Sequence, residues 1–261
     1  MAITGPQAVV TTKYGGFGCY HSALGSSLAI LNDGAASTAL PNYATGEALE
    51  IVSAGASAAN DDGSPAGTGA RTVTVVYIDP TLGAVTTETV TMNGTAAVAL
   101  TDTTVSRVLD MFVATAGSSG TNEGAITIRV AGGGATRMTI PIGHNRAAPG
   151  RFTIPTGYYG IYRGFTINNT AGSLLAKVTC LVEADFNPYT NAVNEHIYQP
   201  IDWGVSGPAS GQMGYEIGDR QGGTRVYLKE KTTIRVRASA DAGTPPVGGR
   251  VFLQLYRAPV I

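Results

Sequence analysis

From Glu47 onward, apolar and polar residues alternate along most of the chain with a period of two. Clusters of glycine, proline and asparagine interrupt the alternation at short intervals. That period points successive side chains to opposite faces, so it predicts half-buried β-strands joined by tight turns. In "RTVTVVYI", Val73, Val75 and Tyr77 share one face while Thr72, Thr74 and Val76 share the other. "DPTLG" (79–83) places proline at a turn's second position and closes with glycine, so the chain reverses there. "VTTETVTM" (85–92) returns, and "NGT" (93–95) predicts a further hairpin ahead of "AAVAL". Ile126, Ile128 and Val130 form another apolar face, and Met138, Ile140 and Ile142 the next. Pro141 interrupts that last run, which predicts an edge or irregular strand. "SRVLDMFVAT" fits a helix through Val105, Val108, Leu109 and Phe112, but its ten residues between turn clusters favour a strand.

The second half repeats the theme. "TIPTGYYGIY" reads as strand, proline-glycine turn, strand, and "AGSLLAKVTCLVEA" sets Val178, Cys180 and Val182 inward with Lys177 and Thr179 outward. Near the end, Ile234, Val236 and Ala238 face in, Arg235 and Arg237 face out, and Val251, Leu253 and Leu255 complement them. Short strands with glycine, proline and asparagine turns and no convincing long helix predict an all-β, antiparallel fold of β-sandwich or jelly-roll type. Residues 46–145 form one sandwich part. Residues 146–261 form either a second part or one continuous unit with the first.

Residues 1–45 depart from the pattern. They are rich in glycine, alanine and serine, yet they carry Tyr14, Phe17, Tyr20, Leu28, Ile30, Leu31 and Tyr43, which a flexible linker would lack. Such a segment orders by laying its apolar side chains on its own domain or on a neighbouring subunit. It is therefore expected to be an extended docking arm.

Composition narrows the function. Charged residues make up only 13% of the 261, about half the usual share, and the net charge is −1. No broad basic field exists to hold nucleic acid. Arginine outnumbers lysine 13 to 4. The arginine fork suits fixed pairing across interfaces, so the chain reads as one that expects neighbours. Cys19 and Cys180 form no CxxC pair, which excludes a zinc or redox motif and favours two free thiols. "MAITGPQAVVTTKYGG" lacks the charged and apolar regions of a signal peptide, and no apolar run approaches the ~20 residues of a membrane span.

Candidate chemistry is sparse. "GTGAR" (67–71) precedes a strand, whereas phosphate-binding glycine loops lie between a strand and a helix, so it reads as a turn. Arg71 is then expected to pair with a carboxylate or a backbone carbonyl at the sheet end. Asp61 and Asp62 could hold calcium with nearby carbonyls, although the EF-hand spacing is absent and adjacent loop aspartates are most often solvated. His144 and His196, the latter near Glu195 and Asp202, have no catalytic motif around them. Asn93 and Asn168 match the glycosylation acceptor pattern, but turn chemistry accounts for both. Trp203 with Tyr189, Tyr198 and Tyr215 is the strongest binding candidate, set against the plainer reading of an aromatic plug closing the sandwich end. The expectation is a chain with no catalytic, cofactor or metal residues, and not an enzyme. The predicted protein-interface residues are Tyr14, Phe17, Tyr20, Tyr43, Tyr189, Tyr198 and Trp203.

Three phrases carry a resemblance: "AGTGARTVTVVYIDPTLGAVTTETVTMNGT", "FVATAGSSGTNEGAITIRVAGGG" and "RFTIPTGYYGIYRGFTIN". Their strand-and-turn texture, over roughly 47–257, resembles the virion structural, minor capsid and decoration proteins of tailed bacteriophages; the arm lies outside it. The resemblance implies a jelly-roll or sandwich subunit, made in the host cytoplasm, that binds the capsid surface as a homotrimer and cements the head shell. Its partners would be its own copies and the major capsid or neighbouring virion proteins, with no direct nucleic acid and no membrane. A head fibre, tail or baseplate component that recognises the host is the alternative in the same setting. A carbohydrate-binding module or glycan-active enzyme is the alternative from another class. An enzyme of that kind needs a carboxylate pair facing a groove, which the sequence does not display.

Overall fold

The computed structural model describes residues 13–23, 26–27, 29–30, 44–80, 83–169, 176–185, 201–205, 213–216, 227–241, 243–244 and 246–257. Strands dominate. In chain order they are β1 (Lys13–His21), β2 (Ala29–Ile30), β3 (Leu49–Ala54), β4 (Ala70–Ile78), β5 (Val85–Thr91) and β6 (Val98–Ala99). Next come β7 (Arg107–Ala116), β8 (Ala125–Val130), β9 (Thr136–Ile140), β10 (Arg151–Thr153), β11 (Tyr158–Asn169) and β12 (Ala176–Asp185). The last are β13 (Ile201–Val205), β14 (Met213–Glu216), β15 (Tyr227–Leu228), β16 (Thr233–Ala240) and β17 (Val247–Arg257). Among the described residues the one helical element is a 3-10 turn at Ala58–Asn60.

The strands build two antiparallel sandwiches. In the first, the sheet β6–β3–β8–β9 faces the sheet β5–β4–β7. Between them Leu49, Ile51, Val73, Val75, Met111, Ile126, Ile128 and Ile140 are sealed from water. Full burial of each large side chain stabilises by about 1.5–3 kcal/mol relative to its exposed state. In the second, β1–β17–β11–β14, with β15 joined to β11, faces β10–β16–β12–β13, with β2 joined to β16. Phe17, Ile154, Tyr162, Val236, Val251 and Leu253 fill that core. The all-β sandwich architecture is as the alternation predicts, and "SRVLDMFVAT" is a strand.

Three details differ from expectation. The first concerns the N-terminal region. All nine residues of β1 pair with β17, from Lys13 opposite Leu255 to His21 opposite Val247. Phe17 and Cys19 are buried while Gly18 and Tyr20 are half-buried. The period of two is present, but Gly15, Gly16 and Gly18 conceal it in the sequence. With β2 on β16, part of the expected arm belongs to the second sandwich, and the first sandwich is inserted between β2 and β10.

The second concerns "NGT". Gly94 takes φ +56°, as a turn there requires, yet β6 pairs with β3 and not with β5. Gly94 N donates to Asp61 O (2.8 Å) and Ser53 N to Gly94 O (3.2 Å), so the turn is held across to the other sheet. The third concerns Ile142. Pro141 ends β9, an edge strand, and Ile142 beyond it is 57% exposed rather than inward.

Candidate functional site

The two sandwiches meet along a junction with a buried ionic part and an open cleft. The buried part begins with Arg107 at the start of β7, Arg137 in β9 and Arg151 in β10, which close on Glu47 around a cavity of about 10 Å³. Arg137 grips the Glu47 carboxylate with both Nε and Nη2. Arg151 Nη2 donates to Arg137 O (2.9 Å), tying β10 of the second sandwich to β9 of the first. Burial pushes the Arg151 guanidinium down to about 10, and the neighbouring Arg107, Arg137 and Arg235 push the same way while Glu47 opposes them. Such a guanidinium tolerates burial because fixed acceptors face its planar fork. Beside this group Ile78 and Leu109 of the first sandwich pack with Phe152 of β10.

The open part is a cleft of about 830 Å³ walled by β4, β5 and β7 on one side and by β1, β10, β11 and β17 on the other. Its floor is apolar: Phe17 and Phe152 lie with rings stacked at 6.2 Å, next to Val76, Leu109 and Leu255. Its charged groups are Asp110, Arg146, Arg250 and Arg257. Arg146 Nε pairs with Asp110 Oδ1 at 3.1 Å, so that carboxylate is already matched. Arg250 sits over the Phe252 ring, 5.8 Å from its centroid, and Arg257 is exposed. Val85 at one lip is 46% exposed. A large apolar side chain left facing water matters only where it adjoins others, as it does here beside the apolar floor.

Away from the junction, the glycine stretch that raises the question of a phosphate cradle serves a carboxylate of its own chain. Asp61 is fully buried. Its Oδ1 accepts from Ala70 N (2.8 Å) and Glu123 N (2.9 Å). Its Oδ2 accepts from Ser53 Oγ (2.6 Å) and Gly124 N (2.7 Å). A Cβ at Gly69 would overlap Asp61 Oδ1, and one at Gly67 would overlap Asn60 O, so these glycines let the strands close around the carboxylate. All four lone-pair positions are committed to protein donors, which leaves Asp61 none for a cation and corrects its reading as a calcium-loop or solvated residue. Asp62 Oδ1 accepts from Ser64 N (2.8 Å), an Asx turn. Arg71 Nε donates to Gly67 O (3.0 Å), the carbonyl pairing expected at the sheet end. Among the described residues no three of His, Cys, Asp and Glu gather where they could hold a metal ion.

The predicted interface residues are scattered. Phe17 is 4% exposed and belongs to the second core while its ring reaches the cleft floor, so it is a packing residue rather than a docking anchor. Tyr20 is half-buried on β1, Tyr14 lies opposite Gln254, and Trp203 lies on β13 opposite Val178. Tyr43, Tyr189, Tyr198 and His196 lie outside the described residues. His144 is exposed. Cys19 is a buried free thiol that burial pushes up to about 12. The residues that sequence reading passed over are Arg146, Arg250, Arg257 and Val85. Their only sequence signal is the excess of arginine over lysine.

No family model and no curated protein matches the chain. Among solved structures it is similar to the VP2 subviral particle of infectious bursal disease virus, at 10% identity and TM-score 0.21, over 97% of this chain and 78% of that one. It is likewise similar to the T=1 particles derived from infectious bursal virus, at 8% identity and TM-score 0.21, over 96% and 74%. Likenesses at that TM-score carry no argument about this protein.

Proposed function

We propose that this chain is a virion structural protein, acting as a decoration or cement subunit that binds a capsid shell as a symmetric homotrimer. The observation that carries the reading is the cleft between two sandwiches. Its described lining has three arginines, three aromatic rings and no lysine. Aromatics and arginine are enriched at protein interfaces, and lysine is depleted there. The Glu47–Arg137–Arg151 group, of which Arg151 is buried, ties the two walls of that cleft together, so the surface offered to a partner is preorganised and loses little entropy on docking. The sequence phrases add the setting of a phage head.

A cement subunit needs no reacting group. Among the described cleft residues the one carboxylate, Asp110, is paired with Arg146, with no second carboxylate beside it for acid–base work on a glycan. Many modest contacts around a symmetry axis reinforce one another through effective concentration, which suits a low-charge β chain. The test is direct. Purified protein is added to heads lacking it, and bound copies are located and counted by electron microscopy, beside a light-scattering mass for the free oligomer. Symmetric, many-copy decoration by a trimer is the expected result. A monomer that leaves the heads bare overturns the proposal.

A further inference from the structure

We infer that the inter-sandwich cleft is a docking groove for an extended acidic segment of a partner protein, with carboxylates on Arg250 and Arg257 and apolar side chains on the floor beside Val85. Three features converge on that partner. The chain as a whole carries a net charge of −1, yet among the described cleft residues three guanidiniums face one carboxylate, and Arg146 already neutralises it. The cleft therefore keeps two positive charges, both exposed and both on β17. Next, Val85, 46% exposed at the lip, carries the apolar floor of Val76, Phe152 and Leu255 out to the surface. Finally, a peptide in extended conformation alternates its side chains, so it can send acids to the arginines and aliphatics to the floor. Guanidinium–carboxylate pairs are charge-assisted and bidentate, which fixes direction as well as affinity. A nucleic acid would demand a track of phosphate contacts, and two unmatched arginines above an apolar floor do not make one.

The inference rests on the proposed function only for the partner being another structural protein. The groove itself is tested without particles. The probe is a fluorescein-labelled peptide alternating glutamate and valine, titrated with the full chain and followed by anisotropy. A lysine–valine peptide and a single-stranded oligonucleotide run in parallel. The acidic peptide should bind, and binding should weaken as salt rises. Arg250→Glu and Arg257→Glu, both exposed substitutions, should each weaken it about tenfold or more. Val85→Asp should weaken it as well, while Ala97→Glu, at an exposed position outside the cleft, should not. Equal binding of both peptides, binding of the oligonucleotide instead, no binding of the acidic peptide, or indifference to the arginine reversals each overturns the inference. Decoration of heads by a protein that fails this test would leave the proposed function standing and remove only the groove.

Discussion

Replacing Asp61 by asparagine removes half of a buried carboxylate's capacity while keeping its shape. One oxygen becomes an amide NH2, which can accept nothing. Turned toward Ala70 and Glu123 it faces two backbone donors; turned the other way it strands the Gly124 N–H, while the Ser53 hydroxyl can reverse and accept from it. The second arrangement costs less: one charge-assisted hydrogen bond disappears, at about 1.5–3 kcal/mol, its donor is sealed from water, and the remaining bonds lose their ionic acceptor. About 3 kcal/mol is therefore expected, a large share of a total stability of about 5–15 kcal/mol. For a unit of about 100 residues, 1 kcal/mol corresponds to about 4–8 °C, which places the melting midpoint at least about 12 °C lower. The assay is thermal and urea unfolding by circular dichroism, with Asp62→Asn as the matched control. Asp62 is only half-buried and takes one backbone donor, so that variant should change stability by no more than about 0.5 kcal/mol. Equal effects at the two positions would refute the assignment of Asp61 as the clamp of the first sandwich.

Three more outcomes are expected. Glu47→Gln leaves Arg137 without its carboxylate partner, beside Arg107 and Arg151, and should cost about 3 kcal/mol in urea unfolding; a neutral substitution would remove the ionic junction from the account. The Glu50 carboxyl is held below the usual range by the Gly132 amide and the Arg129 guanidinium, and the Glu123 carboxyl by Ser119, Thr68 and Asn60. Because both folded values are depressed, their contribution is fully present above the ordinary glutamate range near about 4.3. It is lost as pH falls through the folded values, so melting temperature should be flat at neutral pH and drop in acid, less steeply in Glu123→Gln. Burial raises the Cys19 thiol to about 12, so mass spectrometry should find the peptide containing Cys19 unalkylated by iodoacetamide at neutral pH and modified only on unfolding; rapid native labelling would contradict its burial.

Legibility in the sequence follows the range of the interaction. β4, β5, β8, β16 and β17 could be read directly because alternation is a local consequence of one buried face, and Pro141 announced the end of β9 through its missing N–H. β1 was read as part of an extended docking arm, lying on its own domain or a neighbouring subunit, because Gly15, Gly16 and Gly18 break up the alternation that would mark a strand. The turn at Asn93 was recognised but its destination was not, since pairing of β6 with β3 is decided by contacts near Asp61, more than thirty residues away in the chain. The clamp itself gathers Ser53, Ala70, Glu123 and Gly124, and the cleft gathers β5, β7 and β17. No local pattern marks such assemblies. Only the preference for arginine over lysine hinted that fixed ionic pairing would matter, and Glu47–Arg137, Glu50–Arg129 and Asp110–Arg146 supply it.

The central claim, that this chain works by docking on a larger assembly, is tested most directly by counting it there. Under the proposed function, quantitative mass spectrometry of virions purified from cells that produce the chain, with the chain located by electron cryomicroscopy, should find many copies in symmetric positions on the head, each with the inter-sandwich cleft covered by a neighbouring protein. Virions free of the chain, or copies whose cleft faces open solvent, would contradict the account.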